Sequence, residues 1–211
     1  MGTNATIDFN LIKQEKVKAL LRSNGLLSVH DLSKIKSFCY NQSDGQHYYK
    51  HVKSFFIAAD IETVWDAYKT ISPQETRKGS MVSFGLMYSR QQNEIMYASD
   101  AYRGIEAGQI IFLNLNLFAN IVNLAVGHEV SGVDESDKTI RICYLQNGVT
   151  TGTQVIQLKS HKNRTEIIHA TVYRSGSFFR DKILYPIFHE KGLTEFHGNV
   201  KRRIKNLNLK F

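Results

Sequence analysis

The spacing of apolar positions changes twice along the chain. Up to about residue 46 it is near-helical: Phe9, Ile12, Lys16, Leu20 and Leu21 recur on one side, and Asn24-Gly25 supplies a stop. Ser28 and Asp31 then form a capping pair ahead of Val29, Leu32, Ile35 and Cys39 on one face. The polar stretch from Asn41 to Gly45 is a loop and a boundary. Tyr48 to Ile57 is aromatic and β-branched and reads as a strand. Asp60 caps a helix through Ile61, Val64, Trp65, Tyr68 and Ile71, and Ser72-Pro73-Gln74-Glu75 opens a second, short one.

From Ser80 to Tyr173 the period becomes two. Val82, Phe84, Leu86 and Tyr88 alternate with polar or small residues. Further strands are predicted over 109–117, 121–132, 139–145, 153–159 and 165–173, with a short one near 94–98. The breaks, at 134–137, Asn147-Gly148 and 161–163, are short polar turns, which join antiparallel neighbours. A last long helix runs from about Ser177 to Leu207. Leu193, Phe196, Val200, Ile204 and Leu207 form its apolar stripe, and Pro186 and Gly192 bend its first half. About 30 residues span roughly 45 Å, so only a broad sheet could cover that stripe.

This pattern predicts an α+β protein: a helical extension over 1–46, then one domain over 47–211. Composition sharpens it. Of 211 residues, 42% are hydrophobic and 22% charged, which supports a real core, and 12 Phe with 10 Tyr lean it toward sheet. The net charge is +8, concentrated near the end of the last helix in Lys201, Arg202, Arg203, Lys205 and Lys210. Cations there match the helix dipole; an anionic membrane surface is the alternative partner, and no nucleic acid is expected because aromatic and basic residues are not interleaved. Cys39 and Cys143 give neither a disulfide framework nor zinc spacing and are read as two reduced, buried thiols. With no early apolar run like a signal peptide, a cytoplasmic location is expected.

Phe55-Phe-Ile-Ala-Ala-Asp-Ile-Glu-Thr-Val-Trp65, the stretch Tyr144 to Arg174, and the helix bearing Tyr185-Pro186 and Phe188-His189 resemble the SRPBCC superfamily of START, polyketide-cyclase and pollen-allergen proteins, most nearly its uncharacterised bacterial members. The resemblance covers about 47–211. It implies a helix-grip fold, with a curved antiparallel sheet wrapped on the C-terminal helix, and an apolar ligand between them. Independently of the name, a curved sheet and a helix laid across it do not close fully, and the residual space is the usual form of a small-molecule site.

The chain holds no phosphate loop, no dinucleotide glycine fingerprint, no His-Glu-x-x-His, no Rieske pattern and no serine elbow, and no cofactor is expected. Candidate cavity residues are Phe84, Tyr88, Asn114, His128, Tyr144, Gln154, His189, Leu193, Phe196 and His197. His189 and His197 flank the helix stripe about 12 Å apart, too far to share a metal. His128 shares a strand face with Val122, Leu124 and Val126. On the last strand Ile168, Ala170 and Val172 are expected inward and His169 outward. Three readings follow: a binding protein for a lipid-like, polyketide-like or aromatic molecule; a cyclase or hydrolase using His128, His189 or a tyrosine as acid or base; and an interaction module docking through the basic tail.

Overall fold

The computed structural model describes residues 5–118, 121–146 and 148–208, so Asn147 of the expected turn and Lys210 of the basic tail lie outside the described residues. The N-terminal part is less helical than its periodicity suggests. Phe9–Leu11 is a single 3₁₀ turn capped by Asp8, and helix α1 begins only at Glu15 and ends at Ser23. Helix α2, Val29–Ser33, starts as expected, with the Ser28 side chain accepting from the Asp31 N–H. The chain then turns extended as β1, Ser37–Phe38, so Cys39 lies on no helix face.

The expected reduced thiols are corrected here: Cys39 and Cys143 form a disulfide across 104 residues. β1 pairs the end of strand β7, Phe38 opposite Tyr144, which brings the neighbouring cysteine beside its partner. Sequence spacing carries no trace of that pairing.

Strand β2, Tyr49–Ile57, leads into helix α3, Ile61–Thr70, capped by Asp60, and helix α4, Pro73–Thr76, with a complete Ser72/Glu75 capping box. Then come β3 (Val82–Ser89), β4 (Glu94–Met96), β5 (Gln109–Leu117), β6 (Val122–Asp134), β7 (Thr139–Leu145), β8 (Thr151–His161) and β9 (Arg164–Arg174). They form one antiparallel sheet in the order β2-β9-β8-β7-β6-β5-β3-β4, with β1 added on β7. A π-helical turn, Arg180–Leu184, runs into helix α5, Tyr185–Asn208. Pro186 has no N–H to donate to the carbonyl four residues back, and the widened turn lies where that bond is missing.

The architecture is the helix-grip fold. The inner face of the sheet packs on α3 and α5 through Ile57, Val64, Trp65, Ile156, Ile167, Val200 and Ile204. Part of the outer face is covered too: Val17, Leu21 and Leu32 pack on Leu86, Tyr88, Ile110 and Phe112. Gly85 makes that second layer possible, since a Cβ there would sit 2.9 Å from Val17 and 3.0 Å from the Phe112 carbonyl.

Gly85 also marks a register shift between Phe84 and Leu86. A bulge changes which side chains share a face. Val82 and Phe84 therefore keep company with Leu113, while Leu86 and Tyr88 turn toward the N-terminal helices. The single face expected for all four is thus split.

Candidate functional site

Between the inner face of the sheet and the start of α5 lies a cavity of about 180 Å³. Its walls are mainly apolar: Leu113, Leu115 and Leu117 of β5, Leu124 and Val126 of β6, and Leu184, Phe188 and Leu193 of the C-terminal helix. One end is bordered by Phe118, Val149, Arg180 and Phe188, with the Phe118 and Phe188 rings edge-to-face at 4.8 Å.

Of the residues singled out from the sequence, His128, Tyr144, Gln154, His189 and Leu193 line this space. Phe84, Tyr88, Asn114, Phe196 and His197 are not part of its lining. Phe84 is packed among Val82, Met87 and Leu113, and Tyr88 bonds Asn93 beyond the bulge. Asn114 alternates with the inward Leu113 and Leu115, so it faces the other way and donates to Asn116 at 2.5 Å and Asn123 at 3.1 Å. Phe196 packs on Tyr68 and Arg77.

His197 belongs to a buried polar chain beside the cavity. Gln154 Nε2 donates to the Tyr144 hydroxyl at 3.0 Å, so its carbonyl accepts from His169 Nε2–H at 3.0 Å. That leaves His169 Nδ1 to accept from His197 Nε2–H at 3.0 Å, and His197 Nδ1 to accept from the Tyr68 hydroxyl at 2.5 Å. At the far end the Tyr144 and Tyr185 hydroxyls share a hydrogen bond at the cavity wall. Every group has a partner while every imidazole is neutral, and burial favours that state: His128, His189 and His197 are each held down at about 3, and His169 lies well below its usual range. Burial also raises the phenols of Tyr144, Tyr68 and Tyr185 well above their usual range, so they stay protonated in ordinary buffers.

His169 thus corrects a second expectation. It is 2% exposed and central to the chain, whereas Ile168, Ala170 and Val172 are half-buried on the opposite face. A branch leads from His189 to His51, Nδ1 to Nδ1 at 3.1 Å, and from its Nε2 to Thr171 at 3.5 Å. Among the described residues no group of three His, Cys, Asp or Glu side chains is placed to hold a metal ion.

Sequence inspection missed Arg77, Tyr185 and Phe188 as lining residues. Arg77 ends the capped turn of α4 and lays its guanidinium over the Phe196 ring, 4.5 Å from its centre. The carboxylate that acts on its charge, Glu195, is occupied: it accepts from the backbone N–H groups of Ser80, Met81 and Val82 at 2.8 to 3.3 Å. Gly79 permits that approach, because a Cβ there would lie 1.9 Å from the Glu195 carboxyl carbon. Arg77 in turn depresses all four imidazoles around it: after burial for His128 and His197, and after burial and neighbouring imidazoles for His169 and His189.

No protein-family model and no curated protein matches the chain. Many solved structures do. Among them, the ginseng major latex-like protein 151 from Panax ginseng has a TM-score of 0.53 at 10% identity, over 74% of this chain and 97% of that one. The KanY protein gives 0.55 at 13% identity, over 76% and 99%. Norcoclaurine synthase from Thalictrum flavum, solved with dopamine and hydroxybenzaldehyde, gives 0.54 at 12% identity, over 81% and 96%. These neighbours are SRPBCC, Bet v1-like proteins, and they share the helix-grip fold with this chain.

Proposed function

We propose that this helix-grip chain binds a hydrophobic small molecule in the cavity between its sheet and α5. The observation that carries the reading is the cavity itself: about 180 Å³, walled mainly by leucine, valine and phenylalanine, with a minority of polar side chains. The volume sets the scale of the occupant. An engineered protein cavity of about 150 Å³ stays dry and binds benzene, so a single ring or a short acyl chain fits here without rearrangement. The neighbour solved with dopamine and hydroxybenzaldehyde holds single-ring molecules in the same fold, which supports the size class.

Native mass spectrometry of the purified protein, followed by titration with single-ring and short-chain compounds, tests it. Retained or added mass is expected, and it should vanish when Leu113→Trp fills the space. Failure of every such compound to bind the folded protein would discard the reading.

One observation favours a second reading, a cyclase or hydrolase type of enzyme. The chain from Tyr68 to Tyr185 is unbroken and ends in a hydroxyl pair on the cavity wall. Gln154 does not relay a proton but fixes the orientation of the Tyr144–Tyr185 pair, and the Tyr185 hydroxyl can donate to, or take a proton from, a ligand carbonyl. Under this reading Tyr185→Phe keeps binding and loses turnover.

Docking through the basic tail has less support. Arg203 is paired with Glu75 at 2.7 Å and Arg202 is bonded to Asn199 at 2.8 Å, which leaves Lys201 and Lys205 exposed. Neutralising Lys201, Arg202, Arg203 and Lys205 removes any binding to anionic vesicles if this docking exists. The division into a 1–46 extension and a 47–211 ligand-binding unit is part of the proposal. No described helix is long and apolar enough to cross a membrane. The disulfide weighs against the cytoplasmic location expected from the sequence, because reducing compartments keep thiols apart.

A further inference from the structure

The cavity contains an electrostatic imbalance. Six of its lining residues are ionisable: Arg77, His128, Tyr144, Arg180, Tyr185 and His189. Four have hydrogen-bond partners. Tyr144 bonds Tyr185 and Gln154, Arg180 donates to the Val149 and Ser175 carbonyls, and His189 bonds His51. Arg77 and His128 make no hydrogen bond or ion pair with any described residue. Each has an aromatic ring beside it, Arg77 the face of Phe196 and His128 the edge of Tyr144 at 4.9 Å.

A guanidinium keeps its charge even when burial lowers it to about 10. Arg77 is only partly accessible to solvent, and a partly desolvated charge without a partner is costly. Glu195 lowers that cost but has already committed its oxygens to three backbone N–H groups. No carboxylate belongs to the lining. The groups that face Arg77 across the space are neutral imidazoles, which cannot neutralise it. The counter-charge that the cavity lacks has to be brought by whatever fills it.

We infer that the ligand is a small organic anion, a carboxylate on a single-ring or short acyl body, with its head on Arg77 and His128 and its apolar part along Leu113, Leu115 and Val126 toward Phe118 and Phe188. The planar fork of Arg77 suits two-point contact with a carboxylate, and a neutral imidazole adds one N–H donor. The inference rests on the cavity reading above and narrows its ligand class.

The test compares two probes of nearly equal size, 3-phenylpropanoate and 3-phenylpropanol, by isothermal titration calorimetry at pH 7.5. The acid is expected to bind at least tenfold more tightly. Arg77→Met should abolish the difference by weakening the acid and leaving the alcohol unchanged, Arg77→Lys should retain part of it, and His128→Gln should reduce it less. Thermal unfolding of each variant establishes that it is folded. Equal or better binding of the alcohol overturns the anion inference and leaves the cavity reading standing. A preference for the acid that survives in Arg77→Met places the anion elsewhere and also overturns it. If neither probe binds the folded wild-type protein, the cavity reading itself falls and the inference with it.

Discussion

Five imidazoles, those of His51, His128, His169, His189 and His197, sit in or beside the space enclosed by the sheet and α5, and their neutrality ties stability to pH. Unfolded histidines take up protons near 6.5, whereas burial holds His128, His189 and His197 at about 3 in the folded chain. Between those values the unfolded state binds more protons. The stabilisation is therefore complete above about pH 6.5 and is lost as pH falls toward 3, at up to about 1.4 kcal/mol per pH unit for each group. Urea-unfolding midpoints should fall steadily below pH 6.5, and the His189→Gln/His197→Gln pair should flatten that slope. An unchanged slope in the double variant would remove these imidazoles from the account. At this scale the sequence was legible by halves. Strand alternation correctly separates His169, Thr171 and Tyr173 from Ile168, Ala170 and Val172, but it does not say which set is inside, and here the polar set is buried. Tyr88 was misplaced because one extra residue at Gly85 reverses the faces, and a lone glycine does not announce a bulge. Arg77 had no signal at all, since its importance comes from what it lacks across the cavity.

Elements with local signals were the most legible. β5 and β7 match their expected bounds at both ends, and the caps of α2, α3 and α4 are those the residues suggested. The α4 cap also has a task. It fixes the turn that presents Arg77, so Ser72→Ala should cost about 1 kcal/mol of stability and weaken anion binding beyond that loss; calorimetry and thermal unfolding together separate the two. Residues 1 to about 46 read as helical because Phe9, Ile12, Leu20 and Leu21 recur at near-helical spacing, yet Asp8 and Gln14 interrupt the chain with extended backbone. The disulfide was illegible because its partners meet only through the pairing of β1 on β7. Closing so long a loop restrains the unfolded chain. Cys39→Ser/Cys143→Ser, or reductant, should therefore lower stability by about 2–5 kcal/mol, read from denaturant midpoints.

Over the whole molecule, the antiparallel hairpins from β6 to β9 and the terminal helix followed from turn lengths and from the stripe on α5, while the pairing of β2 on β9 and the second layer over the outer face did not. That layer depends on Val17 and Leu21 meeting Leu86 and Phe112, residues too distant in sequence for any periodicity to link. Gly85→Val should expel α1 from the sheet by collision with Val17 and the Phe112 carbonyl, lowering the unfolding temperature and exposing Leu86 to dye binding. The backing that α1 and α2 give to β3 and β5 has a counterpart on the other side. The segment leading into α5 leaves Phe178, Phe179, Ile183 and Ile187 exposed, and its first turn is π-helical. Of the two walls around the cavity, one is braced and the other bare. Amide protons of 110–113 should thus be among the slowest to exchange with deuterium and those of 178–188 among the fastest, which would make the bare wall the route of entry for the proposed ligand.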